Sequence, residues 1–219
     1  EKDQFLAHGL AWLATYIESL NQMLAWAETL KKEGHYSEVE ALILQISFGE
    51  YLAQIKGGIQ MSQCEIIRLT DFGLTKDEIQ ILDCKAIDTL ITRGNSDRAR
   101  MELVKYLMQN IGLPTYCNIG LDAEYETIRD QFFRYSKEKI IPFAHSWHLD
   151  NELIPLSIIE ELNSLGVFSL TIPENYGGLG MTKTAMCVVS EELSRGYIGV
   201  GSLATRSDIA AELIMCGGT

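Results

Sequence analysis

Between residues 5 and 30 the apolar positions Leu6, Leu10, Leu13, Ile17, Leu20 and Leu24 alternate spacings of four and three, which sets them on one stripe of a helix. Trp12, Tyr16, Met23 and Trp26 widen that stripe. The width suits a helix inside a bundle better than the narrow seam of a two-stranded coiled coil. Gly34 supplies a stop signal. Ser37 with Glu40 three residues on is a capping-box pattern. It opens a second helix with Leu44, Phe48, Leu52, Ile55 and Ile59 inward, and Gly57-Gly58 is expected to weaken or kink it. A third helix follows Thr75, with Asp77 and Glu78 in the first turn, where the helix dipole favours acids, and continues through Ile79, Leu82, Ile87 and Leu90. Residues 95–111 make a fourth, ended by Gly112 and Pro114.

Residues 112–122 hold Gly, Pro, Asn and Gly close together and read as a connection, which places a boundary near Ile119 and divides the chain into 1–119 and 120–219. After it, residues 123–141 form a helix bearing Ile128, Phe132, Tyr135 and Ile140, halted by Pro142. Another helix starts at Pro155, carries Ile159, Leu162 and Leu165, and ends at Gly166. The apolar run 167–172 is a candidate extended segment, closed by Pro173 and the turn-rich stretch 176–180. Helices over 182–194 and 199–215 follow, the last ending at Gly217-Gly218. The pattern predicts an all-α chain of two helical bundles.

Composition narrows the function classes. The chain is 47% hydrophobic and 22% charged, ordinary for a soluble globular protein, and has no run of about 18 apolar residues that would span a membrane. A formal net charge of -12 argues against nucleic-acid and anionic-membrane partners, and any anionic ligand needs a local basic site. Five widely spaced cysteines without a Cys-x-x-Cys pair suggest neither a disulfide framework nor a zinc site, and fit a reducing cytoplasm. The chain starts on Glu1 and stops at Cys216-Gly217-Gly218-Thr219, so both ends are expected to be cut.

Few residues suggest chemistry directly. His145, His148 and Asp150 have metal-ligand types but no further clustered ligand, and read as an exposed helix end. The glycines of 176–180 lack the Lys-Ser/Thr ending of a phosphate loop, and no Gly-x-Gly-x-x-Gly occurs. Cys187 and Cys216 lie in apolar helical surroundings and are expected to be buried, inert thiols. Trp12, Trp26 and Trp147 are read as packing residues, and the acidic excess as a solvated face.

Four segments in order carry a resemblance. They are Thr127-Ile128-Arg129-Asp130-Gln131-Phe132 with Lys139-Ile140-Ile141-Pro142; Glu160-Glu161-Leu162-Asn163-Ser164-Leu165-Gly166; Ile172-Pro173-Glu174-Asn175-Tyr176-Gly177-Gly178-Leu179-Gly180; and Glu191-Glu192-Leu193-Ser194-Arg195. Together they resemble the N-terminal helical domain of acyl-CoA dehydrogenases over residues 122–219. Ala144-His145-Ser146-Trp147-His148 and the stretch 187–202 look most like members acting on a short branched or dicarboxylic acyl-CoA such as methylsuccinyl-CoA. Those members carry a helical extension that accounts for residues 1–119.

The resemblance implies a domain that walls one side of an acyl-chain pocket, while FAD accepts hydride and a Glu removes the α-proton. The flavin-binding β domain and the catalytic Glu are expected beyond Thr219, so no catalytic residue is assigned within the chain, FAD is not expected to be held by it, and it is expected to be inactive alone. The implied partners are an acyl-CoA substrate and an electron-transferring flavoprotein, in a homo-oligomeric parent. A substrate with a free carboxylate needs a cation or donors in an apolar pocket. Thr205-Arg206-Ser207 falls where family members line that pocket. Arg206 is the candidate for the carboxylate, with Thr205 and Ser207 shaping the pocket, against the alternative of an Arg206 facing solvent or Asp208. The competing function is a non-catalytic helical assembly module.

Overall fold

The computed structural model describes residues 3–113 and 115–218, which pack as two compact units, Glu1–Gly120 and Leu121–Thr219. Among the described residues no helix is long and apolar enough to cross a membrane.

In the first unit, α1 (Gln4–Glu33) stops at Gly34, which takes the left-handed conformation at φ 75°. The N–H groups of Gly34 and His35 close on the Lys31 and Leu30 carbonyls. Its buried row is Gly9, Tyr16, Leu20, Ala27 and Leu30. Leu10, Ile17 and Leu24 were expected to face inward, yet they are 57%, 47% and 46% exposed. The helix is rolled because Gly9 admits Ile67, whose Cγ1 would lie 2.5 Å from a Cβ at that position. This close approach puts the Gly9–Tyr16 side of the stripe on the core and leaves its other edge outside.

Helix α2 (Glu38–Gly57) begins with the predicted capping box, Ser37 N–H donating to Glu40 Oε2 at 2.8 Å. Glu40 is 2% exposed, and its Oε1 accepts the backbone N–H of Asn118 at 2.8 Å, tying the end of the unit to the start of α2. Burial pushes this carboxyl up, but hydrogen bonds from Ser37 and from backbone N–H groups, Asn118 among them, outweigh it and hold the group below the usual carboxylate range. The helix ends at Gly57 because Gly58 adopts φ 126°. Ile59, expected within the helix, instead begins strand β1 (Ile59–Gln60), paired antiparallel with β2 (Ile66–Ile67). It remains buried beside Tyr16, Leu20, Ile55 and Ile67.

The predicted third helix is broken. A 3-10 turn (Leu69–Phe72) precedes α3 (Lys76–Ile79), where Thr75 and Glu78 cap the first turn; a second 3-10 turn (Gln80–Leu82) leads to a break at Asp83. Helix α4 (Lys85–Thr89) then runs into a π turn (Leu90–Gly94). Lys56 of α2 pairs with Asp83 at 2.7 Å and Asp88 at 3.3 Å, one on each side of the interruption, and so draws both pieces to one cation. Helix α5 (Asp97–Gln109) starts from Ser96, whose Oγ accepts the Ala99 N–H. Gly112 follows at φ 94°, and Pro114 lies outside the described residues. Helix α2 packs against α1, the π turn and α5. Its Gly49 has no room for a side chain, since a Cβ would stand 2.6 Å from the Leu90 carbonyl oxygen.

In the second unit, Asp122 caps α6 (Ala123–Tyr135) by accepting the N–H groups of Glu124 and Tyr125. A π turn (Ser136–Ile140) continues into α7 (Ile141–Leu149). Pro142, expected to halt the helix, opens this segment instead: in a first turn its missing N–H is not needed. Helix α8 (Leu156–Ser164) ends before Gly166, at φ 79°. The run 167–172 is not a strand but contains a 3-10 turn (Val167–Ser169), and another (Glu174–Tyr176) follows. The glycine-rich stretch folds back over it, the N–H groups of Leu179, Gly180 and Met181 donating to the Ser169, Ile172 and Leu170 carbonyls. Those carbonyls are thereby satisfied without a partner strand. Helices α9 (Lys183–Gly196) and α10 (Ile198–Gly217) complete the unit around Phe132, Ile140, Trp147, Leu162, Val189, Leu193 and Val200.

Two outcomes follow from the first unit's packing. Gly49→Ala forces α2 from the π turn and should lower stability by about 1–3 kcal/mol in denaturant titration. Glu40→Gln should cost about 1–2 kcal/mol near neutral pH. Because the folded carboxyl lies below its unfolded value of about 4.3, its contribution is complete above that value and is lost as pH falls through the lowered one. The gap between wild type and Glu40→Gln should therefore close in acid.

Candidate functional site

A groove of about 710 Å³ runs between the loop after α8 and the second half of α10. The loop contributes Phe168, Ile172, Pro173 and Tyr176; the helix contributes Ser207, Ala210, Ala211, Ile214 and Met215. The helical set recurs at three and four residues, so one face of α10 supplies it. Ala210 and Ala211 keep the floor low. Among the described residues no charged side chain lines the groove, and Ser207 and Tyr176 bring hydroxyls to it.

An ionic clamp holds the two walls. Asp208 accepts from the Thr171 hydroxyl and pairs with Lys183 at 2.6 Å, joining α10 to the loop and to the start of α9. Lys183 also meets Glu212 at 2.5 Å. Burial pushes the Asp208 carboxyl up, while Lys183 and Thr171 together bring it below the usual range; Asp208 and Glu212 hold the Lys183 ammonium above its own.

The three site candidates are consecutive on α10, where successive side chains point about 100° apart. Ser207 lines the groove. Thr205 is half-buried and its hydroxyl donates to the Ser202 carbonyl at 2.8 Å, within its own helix. Arg206 is exposed, and its guanidinium has no ion pair among the described residues; Asp208, the neighbour considered for it, is taken by Lys183. The structure thus brings Ser207 to the groove, while Arg206 is not among its lining residues and is exposed without an ion pair among the described residues. Sequence reasoning missed Phe168, Ile172 and Ala211, although the 207/211/214 spacing was available in the sequence.

The remaining candidates separate. His145, His148 and Asp150 belong to no metal-binding group among the described residues. Cys187 and Cys216 are exposed, contrary to expectation. Helix α9 buries Ala185, Val188, Val189, Glu192 and Leu193, which turns Cys187 outward, and Cys216 falls in the exposed last turns of α10. Trp147 is buried, while Trp12 and Trp26 are half-buried and donate to His8 and the Asn118 carbonyl. A second, more open recess is lined by Tyr135, Lys139, Ser157, Glu160, Glu161, Ser164 and Leu165, and unlike the groove it carries charged side chains. Burial and the neighbouring Glu161 carboxylate raise the Tyr135 phenol there.

Residues 122–219, the stretch that forms the groove, match the model of the family described as Acyl-CoA dehydrogenase, N-terminal domain. The second unit belongs to that family. The (2S)-methylsuccinyl-CoA dehydrogenase of Cereibacter sphaeroides is 58% identical over all 219 residues, helical extension included. The chain spans 39% of that protein's length. Glutaryl-CoA dehydrogenase of Desulfococcus multivorans is 31% identical over 47% of the chain and 25% of its own length. Benzylmalonyl-CoA dehydrogenase of Aromatoleum aromaticum is 34% identical over 41% of the chain and 24% of its own.

In this acyl-CoA dehydrogenase N-terminal domain, the groove's chemistry separates two ligand classes. An apolar acyl tail fits a lining of Phe, Ile, Ala and Met. A flavin's pyrophosphate does not, because among the described residues no cation or α-helix N-terminus lines the groove to meet its charge.

The clamp gives the groove a specific test. Asp208→Ala should lower stability by about 1 kcal/mol and speed hydrogen exchange at Leu179, Gly180 and Met181. Glu212→Ala, removing only the outer partner of Lys183, should leave those amides at wild-type rates.

Proposed function

We propose that this chain is the N-terminal part of a flavin-dependent acyl-CoA dehydrogenase that desaturates a short branched or dicarboxylic acyl-CoA such as methylsuccinyl-CoA. Its second unit walls the acyl chain with the groove between α10 and the 167–180 loop. The observation that carries this reading is an apolar groove, clamped by Asp208 and free of charge inside, within the stretch that matches the family. The 58% identity over the whole chain supports the choice of acyl group. So do the names of the other two relatives, since glutaryl and benzylmalonyl groups, like methylsuccinyl, derive from dicarboxylic acids.

In this reading FAD and the catalytic base are supplied by residues outside these 219, and the chain alone is inactive. Arg206 pairs with the substrate's free carboxylate, its guanidinium being exposed beside Ser207 and held by no acid among the described residues. Ser207 hydrogen-bonds at the groove wall, and Thr205, whose hydroxyl donates to the Ser202 carbonyl one turn back in the same helix, helps shape the pocket. Electrons pass to an electron-transferring flavoprotein, and the parent is a cytoplasmic homo-oligomer.

The test is Arg206→Leu in the protein that carries this chain with its flavin and base. The kcat/KM for a dicarboxylic acyl-CoA should fall about 100-fold or more, while that for a plain acyl-CoA of equal length changes less than about threefold. Equal losses on both substrates refute the carboxylate role.

A further inference from the structure

Each wall of the groove is held in shape by its own chain. On the loop side, the N–H groups of Met181 and Gly180 close on the Leu170 and Ile172 carbonyls, to either side of Thr171. Gly178 lies so close to this turn that a Cβ there would stand 1.9 Å from the Ile172 carbonyl oxygen. On the other side runs the unbroken helix α10, whose buried residues, among those described, end at Ala204. Its groove-lining half, from Ser207 onward, therefore lies past the part of the helix that the core seats.

A polar joint stands at that transition. Asp208 is one turn beyond Ala204 and one turn before Ala211, which lines the groove. Its side chain is 13% exposed, and its Oδ1 accepts both from the Thr171 hydroxyl and from the Lys183 ammonium, the latter at 2.6 Å. Thr171 immediately precedes Ile172 of the opposite wall. Lys183 is the first residue of α9, where the helix dipole disfavours a cation, and the carboxylates of Asp208 and Glu212 offset that cost.

We propose that Thr171, Asp208 and Lys183 are positioning residues that fix the spacing of the groove's walls and so decide how wide a branch the acyl group can carry. The inference rests on the reading of the groove as an acyl wall. None of the three is among the groove's lining residues, so they act through Ile172 and Ala211, the wall residues beside them. With the joint closed, two stiff walls stay at one distance and a methyl branch is held on both sides. With it cut, the second half of α10 swings from the loop. A small branch then loses contact with one wall, and a wide one is admitted.

The test is steady-state kinetics of the protein that carries this chain with its flavin and base. The substrates are methylsuccinyl-CoA and benzylsuccinyl-CoA, which keeps the free carboxylate and widens the branch. Thr171→Val preserves the side chain's shape and removes the hydroxyl. It should raise the benzyl-to-methyl ratio of kcat/KM at least about tenfold, chiefly through a higher KM for the methyl substrate. Thr171→Ser, which keeps the hydroxyl, should leave the ratio within about threefold of wild type. Asp208→Asn should shift the ratio in the same direction as Thr171→Val. Combining the two should exceed the larger single effect by less than about threefold, since both cut one joint. Equal losses on both substrates overturn the positioning role and leave the acyl-CoA reading in place. So does an unmoved ratio in Thr171→Val and Asp208→Asn. A wild type inactive on every acyl-CoA overturns that reading, and the positioning role with it.

Discussion

The burial of α9 is the constraint on which the second unit depends. Ala185, Val189 and Leu193 are fully shielded from solvent, while Cys187 and Glu191 on the other side of the helix stay exposed. Helices α6, α7 and α10 and the Ser136–Ile140 turn pack against it. The π turn then has a physical purpose: by inserting a wider turn between Tyr135 and Ile141, it rephases the helix so that Phe132 on one side and Ala144 and Trp147 on the other all reach the core around Val189 and Leu193. The burial also reaches Glu192, 1% exposed, whose Oε2 lies 2.8 Å from Arg195 Nε without the alignment of a hydrogen bond. That carboxyl is raised by burial against the pull of Arg195.

Once α9 is fixed, the groove follows. Helix α10 leaves α9 after a single extended residue, Tyr197, and packs back against it, so its start is buried at Val200, Gly201 and Ala204. Its second half passes over the 167–180 loop, where Ser207, Ala211 and Ile214 meet Phe168 and Ile172 across the groove. The loop keeps its shape by closing its carbonyls on its own glycine-rich continuation, and Asp208 locks the helix to it through Thr171. The lining is of the kind that suits an apolar ligand.

The first unit solves a similar problem with a different center. Helix α2 is packed by α1 on one side and by the π turn and α5 on another, and its apolar residues are spread around its circumference. A helix without a polar face gives no periodic signal about which neighbour lies where. The contacts instead depend on Gly49, where backbone meets backbone, and on Glu40, which gathers the cap of α2 and the Asn118 amide at one buried carboxylate.

The amino-acid sequence alone determined the all-helical class, the helix starts at Ser37 and Thr75, the stops at Gly34 and Gly166, and the family to which residues 122–219 belong. Each of these rests on interactions within a few residues or on a contiguous motif, so local order suffices to read it. Tertiary structure decided the remainder. The exposure of Leu10, Ile17 and Leu24 depends on Ile67 entering at Gly9, and the break at Asp83 lies where Lys56 of α2 meets Asp83 and Asp88. The tolerance of Pro142 depends on the π turn before it, and the outward turn of Cys187 on which face α9 must bury. In the site, Thr205, Arg206 and Ser207 are neighbours in sequence but diverge around α10. Ser207 and Phe168 share a groove because the loop and the helix are clamped together by groups 37 residues apart in the chain.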